Sequence, residues 1–200
     1  MTSSNLILYG IHVALWSLFC AARLFMRGRP GLRNVHSGGL QASREYTAAY
    51  SRALLAFHMC GIAVFYLGVA KAPLGGSEQT WTSPRRAAGV LIIVLGATLI
   101  GWAIVSLRSW RFRAKLGEGH VLTTTGAFGL LRHPIYSGMN FAALGTLIYA
   151  PTPVVWIGFI LVVLGSELRA RAEESVLRSA FGSSYAEYSK HTKRLIPFVY

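Results

Sequence analysis

Three long apolar stretches constrain the fold of this 200-residue chain more than any other feature. They cover residues 6–26, 53–70 and 87–107, and each is long enough to cross a hydrocarbon layer of roughly 30 Å as a helix. The composition agrees, because 53% of the residues are hydrophobic and only 14% are charged, whereas a soluble domain carries about a quarter. We therefore predict an all-α integral membrane protein.

A fourth apolar region is interrupted. Residues 138–149 and 154–165 are apolar, and the sequence "APTP" separates them. Each arm has about 12 residues and would span roughly 18 Å as a helix. The region could form one long kinked span, or a helical hairpin that turns at Pro151 and Pro153.

The distribution of positive charge decides between these two arrangements. The chain has 20 Lys and Arg against 7 acidic residues. The basic residues concentrate between the first two stretches, before residue 138 and after residue 165, and cytoplasmic loops carry such an excess. These basic segments can all lie on the cytoplasmic side only if residues 138–165 cross the membrane twice. We predict five transmembrane helices, with the short hairpin as the fourth and fifth, the N-terminus outside and the C-terminus cytoplasmic (at the inner membrane if the protein is bacterial).

The net charge of +13 raises the question of a nucleic-acid partner. The apolar stretches and the lack of a basic and aromatic binding module favour an anionic membrane surface instead. The two cysteines have no metal-ligand spacing, so no metal site is predicted. His12 and His58 lie within apolar stretches, where polar groups usually face the bundle interior, and an interior hydrogen bond is the favoured interpretation for both.

Two sequence segments near the C-terminus carry a recognisable pattern. "GHVLTTTGAFGLLRHPIYSG" begins at Gly119, and "ELRARAEESVLRSAFGSSYAEYSKHTKRLIP" begins at Glu167. The ordered set contains Arg-His-Pro-x-Tyr-x-Gly, a Glu-Glu pair and Phe-Gly-x-x-Tyr-x-x-Tyr. Over about 80 residues it resembles the isoprenylcysteine carboxyl methyltransferase family. The chain would then divide into three N-terminal transmembrane helices with their loops (residues 1–108) and a catalytic part (residues 109–200).

The resemblance implies methyl transfer from S-adenosylmethionine, with S-adenosylhomocysteine as product, at the cytoplasmic membrane face. It also implies a C-terminal helical cap over the cofactor pocket, membrane lipids as surroundings, and a lipophilic or prenylated acceptor that enters from the bilayer. In the family an arginine that meets the substrate carboxylate corresponds to Arg169. The cofactor contacts that the resemblance carries over are His120, Val121, Leu122, Thr123, Phe128, His133, Pro134, Ile135, Tyr136 and Glu173.

Two positions depart from the family pattern. Phe128 stands where the family often has tyrosine, and Arg113 stands where the carboxyl methyltransferases have glutamine. Arg132 fits equally well as a positively charged membrane anchor and as a pocket residue.

The residue types suit the implied chemistry. A carboxylate is ionised at neutral pH, so its methylation needs no general base, and positioning in a dry site would supply most of the rate. An arginine fork is suited to orient a carboxylate. Arg169 and Glu173 are four residues apart in an order that does little for a helix, which favours a functional role.

Other charged and aromatic residues have structural interpretations. Glu167 with Arg171 and Glu174 with Arg178 are predicted to form helix-stabilising pairs, and the four residues lie roughly on one face of the helix. Phe181, Tyr185 and Tyr188 are predicted to pack a short amphipathic C-terminal helix that Pro197 ends.

Several alternatives stay open at this level. The acceptor could be a phospholipid amine or a small thiol within the same superfamily. Less favoured interpretations are an NADPH-dependent enzyme of the sterol-reductase type and a non-enzymatic membrane protein, which would bind no cofactor. The oligomeric state is not predicted.

Overall fold

The computed structural model describes residues 3–27, 41–71, 83–107 and 122–200. Within these ranges it contains six helices: α1 (Ser3–Arg27), α2 (Gln41–Lys71), α3 (Pro84–Ser106), α4 (Ala127–Leu130), α5 (Pro134–Tyr149) and α6 (Pro153–His191). The only β-bridge found in the described part of the chain joins Leu131 to Lys193. The prediction of an all-α fold is confirmed for these ranges.

Three helical segments of the described chain are long and apolar enough to cross a membrane: Arg52–Lys71, Pro84–Ser106 and Pro153–His191. Large apolar side chains are exposed on their outer faces, for example Leu91 and Leu95 on α3 and Ile160 on α6. An exposed apolar surface of this extent is typical of contact with lipid. In α6 the apolar part is residues 153–165, and the charged residues from Glu167 onward lie beyond it.

Helices α3 and α5 form an antiparallel pair in which glycines allow the backbones to touch. Gly89 faces Gly145, and Gly96 faces Gly138. A Cβ atom on Gly89 would lie 2.6 Å from the carbonyl oxygen of Gly145, and one on Gly96 would lie 2.5 Å from that of Gly138. Because lipid provides no hydrophobic force between helices, close backbone contact through small residues is a main source of stability in a membrane bundle.

Helices α2 and α6 form a second antiparallel pair, in which glycines again allow close backbone contact. Gly61 and Gly68 of α2 lie against Leu161 and Val155, and Gly158 of α6 lies against the backbone of Phe65. The second pair is connected to the first through α5 and α6, which are joined by residues 150–152. The break falls at the two prolines that the sequence singled out.

Helix α1 is connected to α2 and α5 by a series of side-chain hydrogen bonds. Trp16 Nε1 donates to the Tyr66 hydroxyl (2.8 Å), which contacts His12 Nδ1 (3.0 Å). His12 Nε2 meets the hydroxyl of Thr146 (3.0 Å), and that hydroxyl donates to the carbonyl oxygen of Ala142 (2.8 Å). The interior hydrogen bonding predicted for His12 is therefore present.

The last part of α6 fits the prediction of a short C-terminal helix, except that it ends before Pro197. The backbone is non-helical at Gly182, where φ is 49°, and the helical segment that follows ends at His191. Glycine accepts this left-handed conformation because it has no Cβ. Pro197 lies in the turn that follows, after the chain has folded back toward α5.

Candidate active site

The Arg-His-Pro turn starts α5 and is covered by the C-terminal tail. Pro134 occupies the first helical position, which tolerates its missing N–H, and His133 is the preceding residue. The backbone N–H groups of Arg132 and His133 donate to the carbonyl oxygens of Lys193 (2.7 Å) and Arg194 (3.1 Å). The turn is thus fixed by backbone hydrogen bonds to a segment some 60 residues away.

His133 lies between the two adjacent glutamates of α6. Its Nδ1 is 3.6 Å from Oε2 of Glu173, and its Nε2 is 3.5 Å from Oε1 of Glu174. Burial alone would lower the pKa of His133, but its interactions with Glu173 and Glu174 outweigh burial, so the pKa is raised above its ordinary value. The imidazole therefore tends toward its charged form between two carboxylates.

Glu173 belongs to a cluster with Tyr136 and Arg169. The Tyr136 hydroxyl donates to Oε1 of Glu173 (2.6 Å), and Arg169 Nη2 lies 3.4 Å from the same oxygen. The guanidinium of Arg169 sits over the Tyr136 ring, 5.4 Å from its centroid, and this ring stacks on His133 at 5.8 Å. Burial would raise the pKa of Glu173, but His133, Tyr136 and Arg169 lower it, so the carboxylate is ionised. We call Tyr136, His133, Arg169 and Glu173 the binding cluster.

Glu174 is surrounded by other arginines. Its carboxylate accepts hydrogen bonds from Arg132 Nε (2.8 Å), Arg194 Nε (2.9 Å) and Arg178 Nη2 (3.3 Å). Burial would raise the pKa of Glu174, but His133, Arg194 and Arg132 hold it well below its ordinary value. The predicted Glu174–Arg178 pair exists, and the Glu174 side chain in it is only 2% exposed.

Arg132 and Arg194 connect Glu174 to the tail. Arg132 Nη1 donates to the carbonyl oxygens of Ser189 and Thr192. Arg194 also pairs with Glu167 (2.9 Å), which itself pairs with Arg171 as predicted. We call Glu174, Arg132 and Arg194 the tail clamp.

Two predicted aromatic residues fasten the end of α6. Tyr185 is fully buried, and the Tyr188 hydroxyl donates to the carbonyl oxygen of Phe128 (2.6 Å). This bond holds α4, and with it Phe128, against the last turns of α6. The predicted packing role of both tyrosines fits these contacts.

Apart from Phe128, which lies in α4, the predicted cofactor residues fall into three groups. His133, Tyr136 and Glu173 come together in the binding cluster, with Pro134 and Ile135 in the same first turn of α5. Leu122 and Thr123 lie in the segment before α4, and in the described part of the chain their side chains form no hydrogen bond to the cluster. His120, Val121 and Arg113 lie outside the described residues.

Sequence reasoning missed two contributions to this region. The tail clamp joins residues far apart in sequence, and only the density of arginine near the Glu-Glu pair could have signalled it. The other is His58 of α2, whose ring meets the Tyr136 ring edge-on with centroids 5.9 Å apart. Its position inside an apolar stretch was visible, but not the helix that it would face.

Comparison with known proteins adds an independent observation. A family model described as phospholipid methyltransferase matches residues 84–184, from the start of α3 to just past the kink of α6. Protein-S-isoprenylcysteine O-methyltransferase A of Arabidopsis thaliana is 30% identical over 84% of this chain and 82% of its own length. The probable protein-S-isoprenylcysteine O-methyltransferase of Oryza sativa subsp. japonica is 29% identical over 91% of this chain and 95% of its own.

The chain belongs to the isoprenylcysteine carboxyl methyltransferase family. The resemblance inferred from the two C-terminal motifs is thereby confirmed. A relative in Saccharomyces cerevisiae, a protein-S-isoprenylcysteine O-methyltransferase, is 28% identical over 96% of this chain. The similarity to family members therefore extends through α1 and α2, where the sequence alone offered only apolar character.

Proposed function

We propose that this protein is an integral-membrane methyltransferase that methylates the carboxylate of an S-isoprenylcysteine or a similar lipophilic acid, with S-adenosylmethionine as donor. The observation that carries the proposal is the binding cluster, in which a family-matched arginine and glutamate meet at the end of an apolar bundle. The names of the relatives support the choice of acceptor.

The binding cluster fits such a cofactor. The Glu173 side chain is 31% exposed, so its carboxylate can still accept hydrogen bonds from an ammonium or a ribose hydroxyl. The stacked His133 and Tyr136 rings offer a flat wall for a heterocycle. Residues 122–125 precede α4 and form no backbone hydrogen bonds within the described part of the chain, which leaves their backbone groups free for an adenine. His120 and Val121 would complete this set.

Arg169 would hold the carboxylate of the acceptor. Its side chain is 11% exposed and its guanidinium is already held over Tyr136, so little freedom remains to be lost on binding. When bound, the cofactor supplies a methyl group on a sulfonium, and displacement by a carboxylate oxygen requires no proton transfer. The protein would therefore contribute by orienting the methyl acceptor and by excluding water from the site.

We further propose the topology that the charge distribution predicts. Residues 1–108 would hold three transmembrane helices, and α5 with the apolar part of α6 would cross as a short hairpin within residues 109–200. The remainder of α6 and the tail would form a cytoplasmic cap over the cofactor. The contacts between α5 and the charged part of α6 support this arrangement, because they place the binding cluster and the tail clamp together beyond the apolar residues.

A labelled-methyl assay on the detergent-purified protein tests the proposal. The acceptors are a farnesylated cysteine, a prenyl acid, a phospholipid amine and a small thiol. Methyl ester formation on the two acids is expected. Transfer to the amine alone would favour a phospholipid acceptor, which the description of the family model also suggests. No transfer together with no thermal shift from S-adenosylhomocysteine would favour the reductase-like or non-enzymatic alternatives.

A further inference from the structure

His58 is a buried polar residue beside the binding cluster that the proposed function does not yet use. It is 1% exposed in the middle of α2. The Cδ2 edge of its ring lies against Gly165 of α6, which has no side chain to displace it. Its ring contacts Tyr136, whose hydroxyl reaches Glu173. His58 therefore contacts one member of the binding cluster directly and is one side chain removed from Glu173.

The hydrogen bonds around His58 define which nitrogen carries the proton. Ser166 uses its hydroxyl hydrogen to donate to Oδ1 of Asn140 (2.9 Å). Toward His58 Nε2, 3.4 Å away, the Ser166 oxygen can therefore only accept. This arrangement places the hydrogen of the neutral imidazole on Nε2. The other nitrogen, Nδ1, is then a hydrogen-bond acceptor.

Nδ1 of His58 has no partner among the described residues, although it is buried. Buried polar atoms are nearly always satisfied, so an unsatisfied one calls for a functional explanation. His12 provides an internal comparison, because both of its ring nitrogens are bonded within the same bundle. The ring edge that carries Nδ1 is opposite the edge that faces α6.

His58 also lies at a boundary between polar and apolar surroundings. On one side are Arg169 and Glu173. On the other side, one helical turn or roughly 5.4 Å along α2 and α6, are Ile62 and Val162. These two residues line an apolar cavity, together with Trp16, Phe65, Met139 and Ala143. Consider a methyl acceptor whose carboxylate lies at Arg169 and whose hydrocarbon chain lies in this cavity. The atoms that connect its carboxylate to its chain would lie beside His58.

We propose that His58 Nδ1 accepts a hydrogen bond from the N–H group next to the acceptor carboxylate. This inference rests on the proposed function. In an S-isoprenylcysteine, the thioether and the isoprenoid chain have no hydrogen-bond donor, and the carboxylate only accepts. The α-nitrogen is the one group that can donate, and it is attached to the carbon that bears the carboxylate. His58 thus makes amino-acid-derived compounds better methyl acceptors than simple prenyl or fatty acids, which are still methylated but more slowly.

The test compares two acceptors of nearly the same shape. One is N-acetyl-S-farnesylcysteine, and the other is its ester analogue, in which an oxygen replaces the N–H group. The ester places an oxygen, which can only accept a hydrogen bond, opposite Nδ1. The unmutated protein should therefore favour the amide by roughly tenfold in kcat/KM, about the value of one hydrogen bond. Equal rates for the two acceptors in the unmutated protein would overturn the inference without any variant.

Variants assign the preference to His58. His58→Phe keeps a ring but cannot accept, so the ratio should fall to near one, whereas Cys60→Ala, at an exposed position on α2, should preserve it. A ratio unchanged in His58→Phe would also overturn the inference. If His58→Phe does not fold, His58→Asn replaces it, because its amide can donate to the ester and should likewise reduce the ratio. Failure to methylate either acceptor would instead reject the proposed function itself.

Discussion

Glu173 and Glu174 are adjacent in sequence but have different surroundings. The Glu173 side chain is 31% exposed and meets Tyr136 and Arg169, whereas that of Glu174 is 2% exposed and is bound by Arg132 and Arg194. Adjacent residues on a helix point about 100° apart, so one carboxylate faces the binding cluster and the other faces the tail. The comparison separates the proposed ligand-binding role of Glu173 from a structural role of Glu174 within one turn of α6.

The largest expected effect is on stability, from Glu174→Ala. This change leaves Arg132 and Arg194 without their carboxylate in a mostly buried setting, and should lower the free energy of unfolding by about 3 kcal/mol. Unfolding of the detergent-purified protein measures it. Glu187→Ala, at an exposed glutamate of the same helix, is the control and should change stability little. A similarly small change for Glu174→Ala would contradict the tail clamp.

The next effect concerns ligand binding and should appear at Glu173. At a concentration one hundred times its dissociation constant, S-adenosylhomocysteine should stabilise the unmutated protein by about 2.7 kcal/mol. Glu173→Ala should abolish this stabilisation while destabilising the unliganded protein less than Glu174→Ala does. Thermal unfolding with and without the compound measures both. A full shift in the Glu173 variant would remove Glu173 from the cofactor site.

Arg169→Ala should affect turnover but not cofactor binding. Loss of a charge-assisted contact to the acceptor carboxylate should reduce kcat/KM by roughly tenfold to a hundredfold. The thermal shift with S-adenosylhomocysteine should remain, since Glu173 and Tyr136 are unchanged. The labelled-methyl assay and thermal unfolding together measure this. Loss of both activities would show that Arg169 supports the cofactor site as well.

The smallest effect is a pH dependence of stability that arises from His133. The pKa of His133 is raised above 6.5 in the folded state, so its contribution is complete below about pH 6.5 and is lost as the pH rises through the raised value. The lowered pKa values of Glu173 and Glu174 make their contributions complete above about pH 4.5, so these do not vary here. Tm should therefore decline from pH 6.5 upward, and His133→Gln should flatten the decline. His191→Gln, at an exposed position, is the control and should not.

The sequence predicted the helices well where they face lipid. Apolar runs reveal such helices directly, and Pro134 and Pro153 mark the starts of α5 and α6. The motifs also singled out four residues that the structure brings into contact, namely Tyr136, His133, Arg169 and Glu173, whereas their role in binding stays a prediction. The meeting of His133 with Glu173 itself depends on how α5 packs against α6, which no local pattern encodes.

The tail clamp could not be predicted for a related reason. Glu174 and Arg178 have the spacing of an ordinary helix pair, so the sequence indicated only a salt bridge within the helix. What buries Glu174 is the return of residues 192–195 to the Arg-His-Pro turn, a contact between distant segments. The unsatisfied nitrogen of His58 is likewise a property of packing, because it exists only once Gly165 and Ser166 are placed beside the ring.

The paired glycines of α3 and α5 have a consequence for how the chain tolerates mutation. Gly89, Gly96, Gly138 and Gly145 touch no part of the binding cluster, yet a single added methyl group at any of them collides with the facing helix. Separating the two helices would also displace the start of α5, where His133 and Tyr136 are placed. We therefore expect variation at these four positions to be restricted by packing, although none of them belongs to the binding cluster.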